Sequence, residues 1–132
     1  MIRAVLADTG PLYAANDEGD AYHERARVEL QQFTRERQEI LLPYPILLEA
    51  YSLVLLRLGA RAALDWLTET ADARFVNPTA EDYGRAFVTV RSLPDQGISL
   101  VDAVLAALAT RLSLQVWTYD YHFDVMRVPV WR

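Results

Sequence analysis

Four acidic residues stand where they could do joint chemistry: Asp8, Glu49, Asp102 and Asp120. Asp8 closes the apolar run "VLAD" and is followed by Thr9, Gly10 and Pro11. Glu49 is the only charge between Glu39 and Arg57, inside "PILLEAYSLVLL". Asp102 stands three residues after Ser99 in "ISLVDAVLAALA", and Asp120 ends "LQVWTYD". Each has a purely structural reading as well. Asp8 can cap a helix, and Glu49 can pair with an Arg from a neighbouring element. Ser99 and Asp102 have capping-box-like spacing, and Asp120 can be an ordinary turn residue. As a set, the four suggest something else. Carboxylates gathered in one cleft repel one another and raise each other's pKa. A hard divalent cation, Mg2+ or Mn2+, is the usual compensation. One or two such ions can activate a water and stabilise the leaving oxygen of a phosphodiester.

Other chemistries fit less well. The tripeptide Asp8-Thr9-Gly10 also occurs in aspartic proteases, which need two such loops sharing a proton in a mostly β fold. Here it occurs once and leads into Pro11 and helices. A haloacid-dehalogenase-like phosphatase carries Asp-x-Asp after its first strand, and Gly10 occupies the second position. The absence of cysteine removes disulfides, thiolate zinc sites and cysteine nucleophiles. There is no serine nucleophile elbow and no Gly-rich phosphate loop. His23, in "AYHERAR", is expected to face solvent; His122 follows Asp120 closely and is either a substrate contact or, as the favoured reading, an exposed turn residue. Asp124 reads as either a helper of Asp120 or a surface residue. No aromatic platform for nucleic acid is evident, because most of the seven tyrosines are dispersed and are expected to fill core or surface gaps.

The elements that must position these acids alternate between strand and helix. Strands are expected at Ile2–Ala7, in "EILLPYP", in "ARFVNP" and in "LQVWTYD", with "VPVW" as a short edge strand. Helices are expected at Leu12–Asn16, Ala21–Arg37, Ile46–Leu58, Ala60–Thr70, Ala80–Leu93 and Leu100–Leu112. Gly59 reads as a helix stop and Thr79 and Ser99 as helix caps. This alternation implies an α/β domain with a mostly parallel central sheet flanked by helices. Ligands of such sheets bind beyond the carboxyl ends of the strands, where Asp8 and Asp120 are expected.

The 132 residues suit one domain spanning 1–132, with enough apolar content for a core. Eighteen acids against 13 bases argue against nonspecific coating of nucleic acid or membrane. Every base is Arg, which suits contacts to phosphate, although genome composition explains the bias as well. No apolar run is long enough to span a bilayer and no signal segment is seen, so a soluble cytoplasmic protein is expected.

The chain resembles the PIN-domain ribonucleases, in particular the VapC-type toxins of bacterial toxin–antitoxin pairs. The resemblance rests on "LADTGPLYAANDEGDAYHERA", "LLEAYSLVLLRLG" and "ISLVDAVLAALATRLSLQVWTYDYHF", in that order, and covers nearly the whole chain. It implies a metal-dependent endoribonuclease using Mg2+ or Mn2+. Asp8, Glu49, Asp102 and Asp120 match the family's catalytic and metal-holding acids. Thr9, Ser99 and Thr118 would support them, while Asp124 falls just beyond the Thr-x-Asp-x-x-Phe pattern of Thr118 to Phe123. It further implies an RNA substrate, a cognate antitoxin whose tail enters the acidic cleft, and a homodimer. Ile46–Leu58 and Ala60–Thr70 offer apolar faces for such partners, or simply for core. The competing reading is a PIN-like binding module without nuclease activity.

Overall fold

The computed structural model describes residues 3–132. Four strands form one parallel sheet in the order β3–β2–β1–β4: β1 (Ala4–Ala7), β2 (Glu39–Pro43), β3 (Arg74–Val76) and β4 (Gln115–Trp117). Helices α1 (Thr9–Asn16), α2 (His23–Arg35), α3 (Tyr44–Leu58), α4 (Ala60–Thr70), α5 (Ala80–Ser92), α6 (Leu100–Leu112) and α7 (His122–Val125) surround it. The expected α/β architecture is present, with all described strands parallel. Val5, Leu6 and Ala7 are fully buried. Coverage on both faces is why β1 is an unbroken apolar run and not an alternating one.

The strand order determines where a ligand can sit. The chain steps from β1 to β2 and β3 on one side and returns for β4 on the other. Successive connections therefore diverge between β1 and β4, the switch point at which open α/β sheets form a crevice. The two carboxyl ends are joined there, since the Asp8 N–H donates to the Trp117 carbonyl at 3.0 Å.

Helix α6 is the other fixed wall. Leu105, Ala106, Leu108 and Ala109 pack with the sheet residues, while Ala103 and Val104 pack with Ala86 of α5. The run of alanines lets the helix lie close to both neighbours. A bidentate contact from Arg111 to the fully buried Asp82 ties α6 to α5, with Nε–Oδ1 3.0 Å and Nη2–Oδ2 2.9 Å. Under the sheet, Phe33 of α2 meets Trp117 and Trp131 edge-on, at centroid distances of 5.2 and 4.5 Å.

Several boundaries differ from expectation. Ile2 lies outside the described residues. The two prolines of "EILLPYP" divide their work: Pro43 ends β2, and Pro45 sits in the first turn of α3, which begins at Tyr44. Helix α1 begins at Thr9, placing Pro11 in the first turn, where no N–H is needed. Strand β4 stops at Trp117, three residues short of Asp120. The terminal "VPVW" makes a single bridge, Val116 to Val130, and no strand. The 3-10 turn Pro94–Gln96 and helix α7 were not foreseen.

Candidate active site

Asp8 follows β1 in extended conformation at the N-cap of α1. Its Oδ1 accepts from the Thr9 N–H at 2.8 Å and its Oδ2 from the Thr118 hydroxyl at 2.7 Å. The cap reading and the functional reading therefore describe one residue. The same Thr118 Oγ1 accepts from the Asp120 N–H at 3.0 Å, and Asp120 Oδ1 accepts from the His122 N–H at 2.9 Å. These side chains compete for the backbone that would have extended β4, which explains its early end. One buried hydroxyl thus joins the loop after β1 to the loop after β4.

Asp102 arrives from α6. Ser99 caps that helix, its Oγ accepting from the Asp102 N–H at 3.1 Å. The reciprocal bond, from the Ser99 N–H to the Asp102 carboxylate, is not made among the described residues. The contrast with α5 is instructive. There Thr79 accepts from the Asp82 N–H and Asp82 accepts from the Thr79 N–H, which completes a capping box. The Asp82 carboxylate is fully engaged; that of Asp102 is left for the cleft.

Glu49 comes from α3, whose buried residues are Ile46, Ala50 and Val54. One face of α3 is buried, and Glu49 is half-buried on the cleft wall. The four acids line one cleft of about 500 Å³, together with Thr9, Ser99 and Arg57. Thr118 acts behind it through Asp8. Asp124 does not line this cleft; it is exposed and bonded to Arg132 at 3.0 Å.

The carboxylates feel one another. Burial pushes Asp8 up to about 6, opposed by its bonds from Thr118 and Thr9 and reinforced by the charges of Glu49 and Asp120. Burial likewise pushes Asp102 up to about 7, with Asp8 and Asp120 adding to the rise and Ser99 opposing it. A larger groove of about 610 Å³ between α5 and α6 is lined by residues such as Val88, Ala106 and Met126 and contains none of these acids.

Three features escaped the sequence reading. His122 is not an exposed turn residue: its side chain is 15% exposed, and its Nδ1 lies 3.2 Å from Asp120 Oδ1 and 3.9 Å from Asp102 Oδ2. His23 is half-buried, not solvent-facing, and its Nδ1–H donates to the Ala14 carbonyl at 2.7 Å. The tyrosines are less dispersed than their spacing suggests, since Tyr13, Tyr22, Tyr119 and Tyr121 all line the cleft. The one available signal was "TYDYHF", where two tyrosines and a histidine flank Asp120.

The donor set fits a divalent cation. It offers hard carboxylate oxygens, and those of Asp8 and Asp102 have raised proton affinity, as expected of charges awaiting a counter-ion. Two buried polar atoms beside them, Thr9 Oγ1 and His122 Nδ1, have no partner among the described residues. Arg57 is the one guanidinium lining the cleft among those residues, 5.1 Å from the Tyr13 ring centroid.

Known proteins share this arrangement of elements. VapC20 of Mycobacterium tuberculosis, described as a sarcin-ricin loop cleaving toxin, has a TM-score of 0.84 at 22% identity, over 97% of this chain and 98% of its own. FitAcB of Neisseria gonorrhoeae has a TM-score of 0.72 at 21% identity, over 97% of this chain and 96% of its own. VapBC2 of Rickettsia felis, solved with a DNA fragment from its promoter, has a TM-score of 0.74 at 13% identity, over 96% of each chain. At such identities these structures speak to the fold. No curated protein matches significantly by sequence. The family model of the PIN domain matches residues 5–129, and the chain belongs to the PIN domain family.

Proposed function

We propose that the chain is a divalent-cation-dependent endoribonuclease and the toxin of a toxin–antitoxin pair. The observation that carries this reading is the convergence of Asp8, Glu49, Asp102 and Asp120 on one cleft at the switch point of a parallel sheet. Membership of the PIN family and the likeness to a toxin described as cleaving the sarcin-ricin loop support it.

Each residue has a definite task. Thr118 and the Thr9 N–H hold the Asp8 carboxylate in one orientation. Ser99 starts α6 so that Asp102 enters the cleft from its first turn. Asp120 and Glu49 close the ring of acids. Asp8, Glu49, Asp102 and Asp120 would hold a divalent cation, which when bound would supply Lewis acidity for hydrolysis of the phosphodiester. Arg57 offers a forked donor to a phosphate oxygen, which the acidic net charge makes necessary. Tyr22 and Tyr121, 48% and 65% exposed at the lips of the cleft, offer faces on which unpaired bases can stack.

The α3–α4 face suits the antitoxin or a second copy. Leu48, Leu56 and Leu64 are 67%, 81% and 54% exposed, while Ile46, Ala50 and Ala63 on the same helices are core. The competing reading, a binding module without nuclease activity, would be favoured by a missing acid, and none is missing. No described helix is long and apolar enough to cross a membrane.

The decisive experiment incubates the protein and its Asp8→Asn form with total RNA in Mg2+, Mn2+ or EDTA. Cleavage that requires both the cation and Asp8 is expected. Undiminished cleavage by folded Asp8→Asn protein, or in EDTA, overturns the assignment.

A further inference from the structure

We propose that His122 supplies a nitrogen ligand to the cation site, alongside Asp102 and Asp120. The proposal rests on the cation-dependent reading above and extends its donor set from oxygen alone to a mixed one.

The imidazole is held from both ends. Its Nε2–H donates to the Gln96 carbonyl at 2.9 Å, out of the 3-10 turn that precedes α6. Its backbone N–H donates to Asp120 Oδ1, so the ring and the acid belong to one local turn. The Tyr121 ring packs beside it at a centroid distance of 4.5 Å. With Nε2 carrying the proton, Nδ1 presents a lone pair. That atom is buried and has no hydrogen-bond partner among the described residues. Donor atoms of Asp102, Asp120 and His122 lie within 4.8 Å of one another, a spacing over which three ligands can share one ion.

The pattern has a physical logic. A ligating histidine almost always donates its other ring N–H to a carbonyl or carboxylate, which fixes tautomer and ring orientation. The Gln96 carbonyl does that here. A charged imidazolium paired with Asp120 is the alternative. However, the 3.2 Å approach of Nδ1 to Asp120 lacks hydrogen-bond alignment, and Nδ1 is left over. Imidazole also changes which ion is preferred, because nitrogen ligands favour transition-metal ions over Mg2+. His122 therefore biases the site towards Mn2+ more than four carboxylates alone would.

The test is electron spin-echo spectroscopy of the full chain loaded with Mn2+ alone, with natural-abundance or 15N-labelled histidine. The expected result is a nitrogen modulation that changes with the label, persists in His23→Ala and disappears in His122→Ala. The labelled wild-type comparison needs no variant to fold. In parallel, His122→Ala should weaken Mn2+ binding by at least about tenfold, as losing even an outer partner of a ligand does. Mn2+ that binds in an Asp102-dependent way without histidine-nitrogen coupling overturns the proposal and leaves the nuclease reading standing. A folded protein that binds no Mn2+ overturns both.

Discussion

Asp8 and Asp102 hold protons more tightly when folded than when unfolded, because burial and neighbouring charges both disfavour their ionised forms. The sign of the consequence follows from linkage. From the ordinary carboxylate value near 3.8 up to the folded values near 6 and 7, the folded state binds more protons than the unfolded one. In EDTA, stability should therefore be greatest at the acid end of this window, fall as pH rises through it and level off above. Thermal melts at pH 5 and pH 8 check this, and added Mg2+ or Mn2+ should recover most of the loss at pH 8. By the same argument, Asp8→Asn should melt no lower than wild type at pH 8 in EDTA while losing cleavage by at least about 100-fold, the upper end for disturbing a metal site. Thr118 is a sharper probe, because its hydroxyl serves both Asp8 and the Asp120 N–H. Thr118→Val strands a buried acceptor, Asp8 Oδ2, and should cost about 1–3 kcal/mol, with reduced cleavage measured beside a denaturant melt. At this scale Glu49 and Asp102 stood out as charges in apolar helices, and Asp8 and Asp120 as charges closing apolar runs. His122 did not, because nothing in its spacing reveals that Gln96, 26 residues away, holds its ring beside Asp102 and Asp120.

At the scale of elements, one pattern had two outcomes. Thr79-x-x-Asp82 and Ser99-x-x-Asp102 look alike, yet the first carboxylate is used up in a capping box and an ion pair and the second faces a cleft. Arg111 makes the difference, since it reaches Asp82 from the last turn of α6. Arg111→Ala removes the cation facing the Asp82 carboxylate and leaves it only its Thr79 contacts, which should lower stability. Chemical denaturation measures this, and the Asp82→Ala/Arg111→Ala double variant should lose less than the two single losses summed. Helix spans were readable where caps and prolines mark them: α4 and α6 lie where expected, at Ala60–Thr70 and Leu100–Leu112. Strand ends were less so. β4 stops early because Thr118 and Asp120 bond locally, a competition that β-propensity does not express.

For the molecule as a whole, the sheet order gathers acids distant in sequence into one cleft and leaves a leucine-rich face on α3 and α4. That face is the proposed seat of a second copy or of an antitoxin. Leu56→Arg, at a side chain 81% exposed, should shift the protein from dimer to monomer in analytical ultracentrifugation. Its own melting should change by no more than about 0.5 kcal/mol, as for other surface positions. A wild-type protein that is monomeric at high concentration would remove the homodimer and leave the antitoxin as the occupant.

By itself the sequence determined the α/β alternation and the parallel sheet, and it singled out the four acids that the structure gathers on one cleft. These follow from local signals: apolar runs, caps, proline positions and the cost of isolated carboxylates in apolar surroundings. Only the tertiary structure decided that β4 lies against β1, so that Thr118 reaches Asp8 across 110 residues. It also decided that Asp102 is free where Asp82 is not, that four tyrosines and Arg57 line the cleft, and that His122 lies beside Asp102 and Asp120. Those outcomes depend on which elements become neighbours, and non-local packing, not any residue's own chemistry, selects the partners of a buried polar group.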